Sequence, residues 1–472
     1  MCGISGWVDF KENLNNHINV IKMMNKKLEH RGPDASALFV KKNVLFGHQR
    51  LIVVDPSGGQ QPMSKVYNNN CYTIVYNGEL YNTEELRKKL INRGYAFNSY
   101  SDTEVLLTSY IEFGKECVKY LNGIFAFAIW DEKNEEIFLA RDRMGVKPLF
   151  YYHNDNTLIF ASEIKALLAH PQIEAVVNEE GIMELFALGP ARSPGSGVYR
   201  DINEIRPGYY LIFNREKKVN KRYWQLESKA HTEDFLTTVD HVRNLVIDSV
   251  KRQLISDVPV CTFLSGGLDS TAISSITADT FRKKRNKTLN TYSIDYLDNE
   301  LFFKENEYQP NSDSKWIPIV VDKINSNHHS VILNNNNLVK ALRAAVIAND
   351  LPGMADVDSS LYLFTKEVRK KFIVALSGEC ADEIFGGYPW FRREEDINAN
   401  TFPWSKSVNA RKNILAENLK SLPLSSYVQE QYNKTLNEMP RLPGENKRDN
   451  RMREMFYLNL KWFMATLLTR KD

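Results

Sequence analysis

From about residue 235 the chain alternates short apolar runs with helical stretches, and this alternation restricts its fold more than any other feature. A long helical pattern runs through Leu254, the run VPVCTFL follows, and a helix begins near Ser270; strand patterns recur at NTYSIDY, HSVILN and KFIVALS, with helical stretches between them. Such alternation predicts a largely parallel sheet, whose ligands bind beyond the carboxyl ends of its strands.

Up to about residue 185 the pattern differs. ISGWVDF, NVLFGHQRLIVVD, YTIVYNGEL, EIFLARD, PLFYYH and TLIFASE read as strands of β-branched and aromatic residues, and helical stretches fall notably around Val20–Leu28, Glu84–Leu90 and Thr103–Phe113. Many strands and few helices predict an α+β arrangement of antiparallel sheets with helices on their outer faces. The Gly- and Pro-rich GPARSPGSGVYRDINEIRPGYY reads as a connector with a hairpin. Two domains are therefore expected, over residues 2–218 and 235–472. No internal repeat is evident, and the polar region from about Asp396 to Asn450 carries little signal. FYLNLKWFMATLL is too short to span a bilayer and is expected to be a buried helix.

The 472 residues are 43% hydrophobic and 25% charged, as in a globular protein of two or three domains. Lys and Arg total 61 against 58 Asp and Glu, so the net charge of +3 gives no electrostatic case for nucleic acid or membrane. Small ligands are expected. The five cysteines are widely spaced and form neither a CxxC nor a Cys/His cluster, which argues against a disulfide framework and a zinc site and favours a reducing cytosol. The N-terminus lacks a basic region followed by a long apolar run.

VPVCTFLSGGLDST feeds a buried-strand pattern into Ser265, Gly266 and Gly267, with Asp269, Ser270 and Thr271 at a helix start. Glycines let the backbone approach a phosphate, hydroxyls add donors, and the helix N-terminus favours negative charge, so the loop suits a di- or triphosphate. It is not a Walker loop, because no Gly-Lys-Ser/Thr follows. A plain glycine turn with Asp or Ser as N-cap is the bland alternative. KFIVALSGECADEIFGGY ends a second strand pattern in Ser377-Gly378 and delivers Glu379, Asp382 and Glu383 near a helix start, with Glu379 and Asp382 expected on one helical face. An acid beside phosphates makes sense when Mg²⁺ lies between them, and Asp269 and Asp382 are the natural metal-side pair. Acids that merely serve a helix dipole are the alternative.

Together, SGGLDS and SGECADEIFGGY resemble the synthetase domain of glutamine-hydrolysing asparagine synthetases. The resemblance implies a fold of the ATP-pyrophosphatase type. It also implies a reaction in which the substrate carboxylate attacks the α-phosphate of ATP, giving β-aspartyl-AMP and pyrophosphate before ammonia displaces AMP. Leu264, Ser265, Gly266, Gly267, Asp269, Ser270, Ile294, Ser377 and Gly378 would surround the nucleotide, with Asp269 and Asp382 at Mg²⁺ and pyrophosphate and Glu379 at the intermediate. Asp356, Asp358 and Ser359 in PGMADVDSS would lie near the acceptor or nucleotide. Cys380 is a departure, since the family more often has Gly there. His328 and His329 are read as packing or substrate-orienting residues rather than ligands.

At the other end, MCGISGWVDF puts Cys2 where removal of Met1 makes it the first residue. Its thiolate can attack an amide carbonyl while its own α-amino group, of unperturbed pKa near ~8, takes and returns the proton. Cys after an initiator Met is weak evidence alone. MCGISGW with RGPDA, GHQRLIVVD, YNGELYN and SDTEVLL, in that order, resembles a class II glutamine amidotransferase of the N-terminal nucleophile type. The resemblance implies an α+β sandwich of antiparallel sheets between helices. It puts Arg50 and Asp102 on the charged ends of glutamine, Glu79 and the backbone at Ile52 and Val53 around it, and Asn77 and Gly78 in the oxyanion hole. Taken singly, Asn77-Gly78 reads as a tight hairpin, and Arg50 and Asp102 as ion-pair residues. Cys71, Cys117 and Cys261 read as small core residues.

The two resemblances imply one activity: ATP-dependent conversion of L-aspartate to L-asparagine with L-glutamine as nitrogen donor, in a cytoplasmic enzyme whose family often forms homodimers. Another acceptor carboxylate, such as a peptidoglycan precursor, is the nearest alternative; a non-catalytic protein sensing glutamine and nucleotide is the alternative of another class. The family pattern continues beyond LLTRKD, so the synthetase domain is expected to be C-terminally incomplete.

Overall fold

Period-two alternation sorts the strand residues of the first half between two cores. In the strand Gly123–Asp131, Phe125, Phe127 and Ile129 enter one cluster while Ala126, Ala128 and Trp130 enter the other. The strand Glu136–Arg141 repeats the split, with Phe138 and Ala140 against Ile137 and Leu139. A strand buried on both faces must lie within a stack of layers. The structure, a computed structural model describing residues 1–306 and 311–471, supplies them.

The strands of this unit are β1 (Gly3–Asp9), β2 (Ala35–Val40), β3 (Val44–Arg50), β4 (Met63–Tyr67), β5 (Asn70–Leu80), β6 (Gly123–Asp131), β7 (Glu136–Arg141), β8 (Phe150–Asn154), β9 (Thr157–Ala161), β10 (Ile202–Glu204), β11 (Tyr209–Phe213) and β12 (Lys218–Arg222). They form two six-stranded sheets, ordered β10-β8-β9-β1-β3-β2 and β12-β11-β7-β6-β5-β4, antiparallel throughout. Ile4, Phe46 and Phe160 of the first sheet share a core with Val75, Trp130 and Leu211 of the second. On the second sheet's outer side, Phe125 and Phe127 pack with Leu86 and Leu90 of the helix Thr83–Ile91 and Val105 and Tyr110 of the helix Asp102–Phe113. The helix Ile18–Lys26 packs on β1 and β3. This is the expected sandwich of antiparallel sheets between helices. Truncating one of its buried phenylalanines to Ala would cost about 3–5 kcal/mol, so the packing firmly fixes the strands that carry the site.

In the second unit, β13 (Val260–Phe263) lies between β14 (Asn290–Tyr296) and β16 (Val374–Leu376), and β15 (Asn327–Leu333) flanks β14; every pairing is parallel. Val260 joins Val250, Phe281 and Leu376 on one face, and Cys261 joins Tyr292, Phe364 and Val368 on the other. Helices thus cover both faces, as a parallel sheet requires. Thr262 stands opposite Leu376, so the loops after β13 and β16 leave the sheet side by side.

Two expectations need adjustment. The strand read through LIVVD ends at Arg50, because the Arg50 guanidinium binds the carbonyls of Val54, Asp55 and Pro56 and turns the chain around itself. By packing, Trp404–Glu438 and Lys461–Asp472 group with Met1–Glu227, and Ser228–Pro403 with Met439–Leu460. The cause is local packing, since Arg411 donates to the carbonyls of Phe186 and Ala187 and the Tyr427 hydroxyl bonds Glu184. Finally, FYLNLKWFMATLL is helical but interrupted by a π turn at Asn459–Phe463; Met455, Leu458, Trp462 and Met464 are buried. No helix among the described residues is long and apolar enough to cross a membrane.

Candidate functional site

The register of β1 against β3, Gly3 opposite Gln49, places Cys2 beside Leu51. The Leu51 N–H donates to the Cys2 Sγ at 3.4 Å, and the thiol lies 3.7 Å from the Leu51 carbonyl. Arg31 Nε donates to the Cys2 carbonyl at 2.9 Å and pairs with Glu163 at 2.8 Å. Burial pushes the Cys2 thiol up, and the N-terminal ammonium, the Leu51 N–H, Arg31 and Arg50 only partly oppose it. The thiol is held in place but needs a base to ionise it.

Strand β5 forms the opposite wall. Its pairing with β4 ends at Ile74, and beyond it the Tyr76 N–H donates to Gln61 Oε1 at 2.6 Å and the Leu80 N–H to Asp102 Oδ2 at 3.1 Å. Strand periodicity puts the Gly78 N–H on the same open side, between those two contacts. Asn77 and Gly78 lie opposite Ala126 and Phe125 in mid-strand, so the hairpin reading fails. A Cβ at Gly78 would lie 2.2 Å from the Ile124 carbonyl oxygen, so only glycine fits. Asn77 is buried, and neither its Oδ1 nor its Nδ2 meets a partner among the described residues. Such an orphaned amide is rare enough in a folded protein to require a reason.

Cys2, Arg50, Val53, Asn77, Gly78, Glu79 and Asp102 line one pocket together with Met1, Gln61 and Tyr76. Ile52 is not among the lining residues; its N–H goes to Asp34 at 2.8 Å. Burial and then the Asp102 charge push Glu79 up to about 8, against Lys147 and the N-terminal ammonium. Asp102 is also raised by burial, although the Leu80 N–H and the Tyr76 hydroxyl stabilise its charge. A buried guanidinium and two carboxyl groups in a half-closed pocket match the charges of a zwitterionic amino acid.

In the second unit, the Leu264 N–H donates to the Tyr292 carbonyl at 2.8 Å, and Ser265 turns into the loop with its N–H and hydroxyl 3.2 and 3.1 Å from the Ser270 hydroxyl. Gly266, at φ +79°, has no room for a Cβ against Trp316, and Gly267 caps the helix Leu268–Arg285 without a side-chain bond. No capping side chain therefore covers this helix start, and such a start can receive an anion. Gly378 packs against this turn: a Cβ there would lie 3.1 Å from both Asp269 Cβ and the Ser270 nitrogen. The Glu379 N–H donates to the Ser377 hydroxyl at 3.2 Å. Glu379 precedes the helix Ala381–Phe385, because Cys380 adopts φ +75° and delays the helix start, so Glu379 and Asp382 do not share a helical face. They nevertheless meet electrostatically: burial raises the Asp382 carboxyl, and the Asp269 and Glu379 charges raise it further. Among the described residues no group of three or more His, Cys, Asp or Glu is arranged to hold a metal.

Ile294 lies in β14, and Asp356, Asp358 and Ser359 occupy the first turns of the helix Ala355–Val368. The Tyr296 hydroxyl donates to Ser360 at 2.9 Å, tying that helix to the end of β14. His328 meets the hydroxyls of Thr291 and Ser293 at 2.9 and 3.0 Å, and His329 stacks on Tyr292 and bonds Asn290, so both imidazoles serve packing between strands. Cys117 and Cys261 are buried as expected, and Cys71 is half-buried. Sequence reasoning missed Gln61, Tyr76, Arg31 and Lys147 around the first pocket. Arg31 lies within RGPDA and Tyr76 within YTIVYNGEL, and Lys147 left a trace in the charge-dense RDRMGVK between two apolar strand patterns.

The chain matches the glutamine amidotransferase domain model over residues 1–224 and the asparagine synthase model over residues 241–472. It is 52% identical to asparagine synthetase [glutamine-hydrolyzing] 3 of Bacillus subtilis over 100% of this chain and 77% of the relative. It is 34% identical to a putative asparagine synthetase [glutamine-hydrolyzing] 2 of Methanocaldococcus jannaschii, over 82% of this chain and 76% of that protein. Asparagine synthetase B [glutamine-hydrolyzing] of Escherichia coli is 30% identical over 83% of this chain and 66% of its own length. With Cys2, Arg50, Glu79 and Asp102 lining one pocket, adjoining loops at the end of a parallel sheet, and this similarity along its whole length, the chain belongs to the family of glutamine-hydrolysing asparagine synthetases.

Proposed function

We propose that this chain synthesises L-asparagine from L-aspartate and ATP with nitrogen taken from L-glutamine, through a glutaminase site at Cys2 and an adenylating site at the SGGLDS and SGECADE loops. The observation that carries the first half is the buried Asn77 amide, which meets no partner among the described residues and lines the same pocket as Cys2. After removal of Met1, the Cys2 amine accepts the thiol proton as sulfur attacks the glutamine side-chain carbonyl. The Asn77 amide and the Gly78 N–H stabilise the oxyanion. Arg50 holds the substrate carboxylate and Asp102 its ammonium, while Glu79 completes the pocket. As the C–N bond breaks, the amine returns the proton to the leaving nitrogen, and water then hydrolyses the thioester to glutamate.

In the second half, the open helix start after Gly267 and the Ser265, Ser270 and Ser377 hydroxyls suit the ATP phosphates. Asp269 and Asp382 fit a hard divalent cation, because Mg²⁺ uses one or two carboxylates together with phosphate oxygens and such a cation relieves the repulsion that raises Asp382. When bound, it would offset the negative charge of the departing pyrophosphate. Leu264, Gly266, Ile294 and Gly378 surround the nucleotide in this reading, and Glu379 faces the adenylated intermediate. A cytoplasmic setting belongs to the same proposal, supported by five widely spaced cysteines that form no CxxC or Cys/His cluster.

The test replaces Cys2 by Ala and measures asparagine formation from glutamine and, separately, from added ammonium. Glutamine-dependent synthesis should disappear and ammonium-dependent synthesis persist. Loss of both in a folded protein overturns the division of labour.

A further inference from the structure

We propose that Lys147 is a positioning residue of the glutaminase half, whose ammonium holds the α-amine of mature Cys2 in its neutral, proton-accepting form. This rests on the reading of Cys2 as an N-terminal nucleophile and goes beyond it, because it says what keeps the amine a base.

The geometry is direct. Lys147 is 0% exposed, and its Nζ lies 2.9 Å from the Met1 sulfur. Met1 is joined to the nitrogen that becomes the amine, so the ammonium already stands within one methionine side chain of it. Removal of Met1 takes away the side chain that the Lys147 ammonium meets. The lysine is also braced: the Asp142 carboxylate accepts the N–H groups of Val146 and Lys147, both at 3.0 Å, and Arg141 Nε donates to the Lys147 carbonyl at 2.7 Å. Both bracing side chains are buried.

The groups facing the amine sharpen the effect. Around Cys2 these are Arg31, paired with Glu163; Arg50, bound to backbone carbonyls; the Glu79 and Asp102 carboxyls and the Tyr76 phenol of the pocket; and Lys147, with the Asp142 carboxylate on its own loop. With Glu79 pushed to about 8, its carboxyl is mostly neutral at pH 7 and offsets little positive charge. A nearby cation then favours the uncharged amine. Lys147 is not among the cations that act on the thiol, which are the N-terminal ammonium, Arg31 and Arg50, whereas its charge does act on Glu79. The proton balance is unchanged: the S–H bond breaks as an N–H bond forms on the amine, and the sulfur electron pair makes the new C–S bond.

The experiment measures kcat/KM for glutamine hydrolysis against pH in the mature enzyme and its Lys147→Gln and Lys147→Arg variants. In Lys147→Gln the acidic limb should move up by about one pH unit, and Lys147→Arg should restore it. A uniform loss of rate with the limb unmoved assigns Lys147 to structure alone and overturns the proposal. Independently of folding in the variants, carbamylation of the mature wild-type amine by cyanate should titrate below the ordinary α-amine value of about 8; titration at or above it overturns the proposal. Absence of glutamine hydrolysis in the wild type strikes the nucleophile reading instead, and the cyanate titration still decides the role of Lys147.

Discussion

The Tyr76 hydroxyl donates to Asp102 at 3.0 Å, and the same carboxylate oxygen accepts the Leu80 N–H at 3.1 Å. Burial keeps the phenol protonated and therefore a donor, while burial also raises the carboxyl it serves. Replacing Tyr76 by Phe removes a bond to the charged form, so the Asp102 carboxyl rises further and holds a substrate ammonium less well. A hydrogen bond to a charged group contributes about 1.5–3 kcal/mol. Steady-state kinetics should show KM for glutamine rising on the order of tenfold or more, more at pH 6 than at pH 8, with kcat changed far less. An equal loss in kcat with KM unmoved would remove Asp102 from substrate binding.

Glu79 gives a stability prediction with a definite sign. Its carboxyl is raised from 4.5 to about 8, first by burial and then by Asp102. Between those values the folded protein retains a proton that the unfolded chain has released, so this term lowers stability as pH rises through the interval and levels off above about 8. The full effect is on the order of 4 kcal/mol. Glu79→Gln should be more stable than the parent in urea at pH 8 and little changed at pH 5. A difference that fails to grow with pH would contradict the burial argument.

How much of this was legible follows from how far each contact reaches along the chain. The Gly266 turn, the Ser270 hydroxyl and the buried run VPVCTFL lie within a few residues of one another, so local chemistry announced them. Asn77-Gly78 was ambiguous because the dipeptide suits a hairpin; pairing with β6 settles it, and that pairing depends on residues some fifty positions away. Gln61, Arg31 and Lys147 act through bonds to Tyr76, Cys2 and the N-terminus, which no local pattern encodes. The strand read through LIVVD failed for a related reason. Its apolar residues look extended, but the preceding arginine binds the carbonyls of the following turn.

Cys380 sits at φ +75° with its side chain buried, a conformation that costs an L-residue roughly 1–2 kcal/mol. Cys380→Gly removes that strain but adds entropy to the unfolded chain, so the net gain should be about 1 kcal/mol. Cys380→Ala keeps the Cβ and should gain nothing. Urea midpoints of both variants, measured against the parent, provide the check. Equal behaviour of Gly and Ala would mean that backbone strain is not what Cys380 costs.

Asp269 and Asp382 should show the opposite balance between stability and function. Burial raises each carboxyl, and at Asp382 the nearby Asp269 and Glu379 charges add to it, so the two acids repel each other in the protein alone. Replacing Asp269 by Asn removes one charge and returns the Asp382 carboxyl toward its ordinary range. Because both groups retain much contact with water, the stabilisation should stay below about 1 kcal/mol. A ligand site that binds a cation and phosphates needs the charge that the fold tolerates poorly. ATP–pyrophosphate exchange with aspartate should therefore fall by on the order of a hundredfold or more, while glutamine hydrolysis at Cys2 stays at the parent rate. Exchange that survives in Asp269→Asn, with the urea midpoint raised, would leave the carboxyl pair electrostatically strained but without a part in nucleotide chemistry.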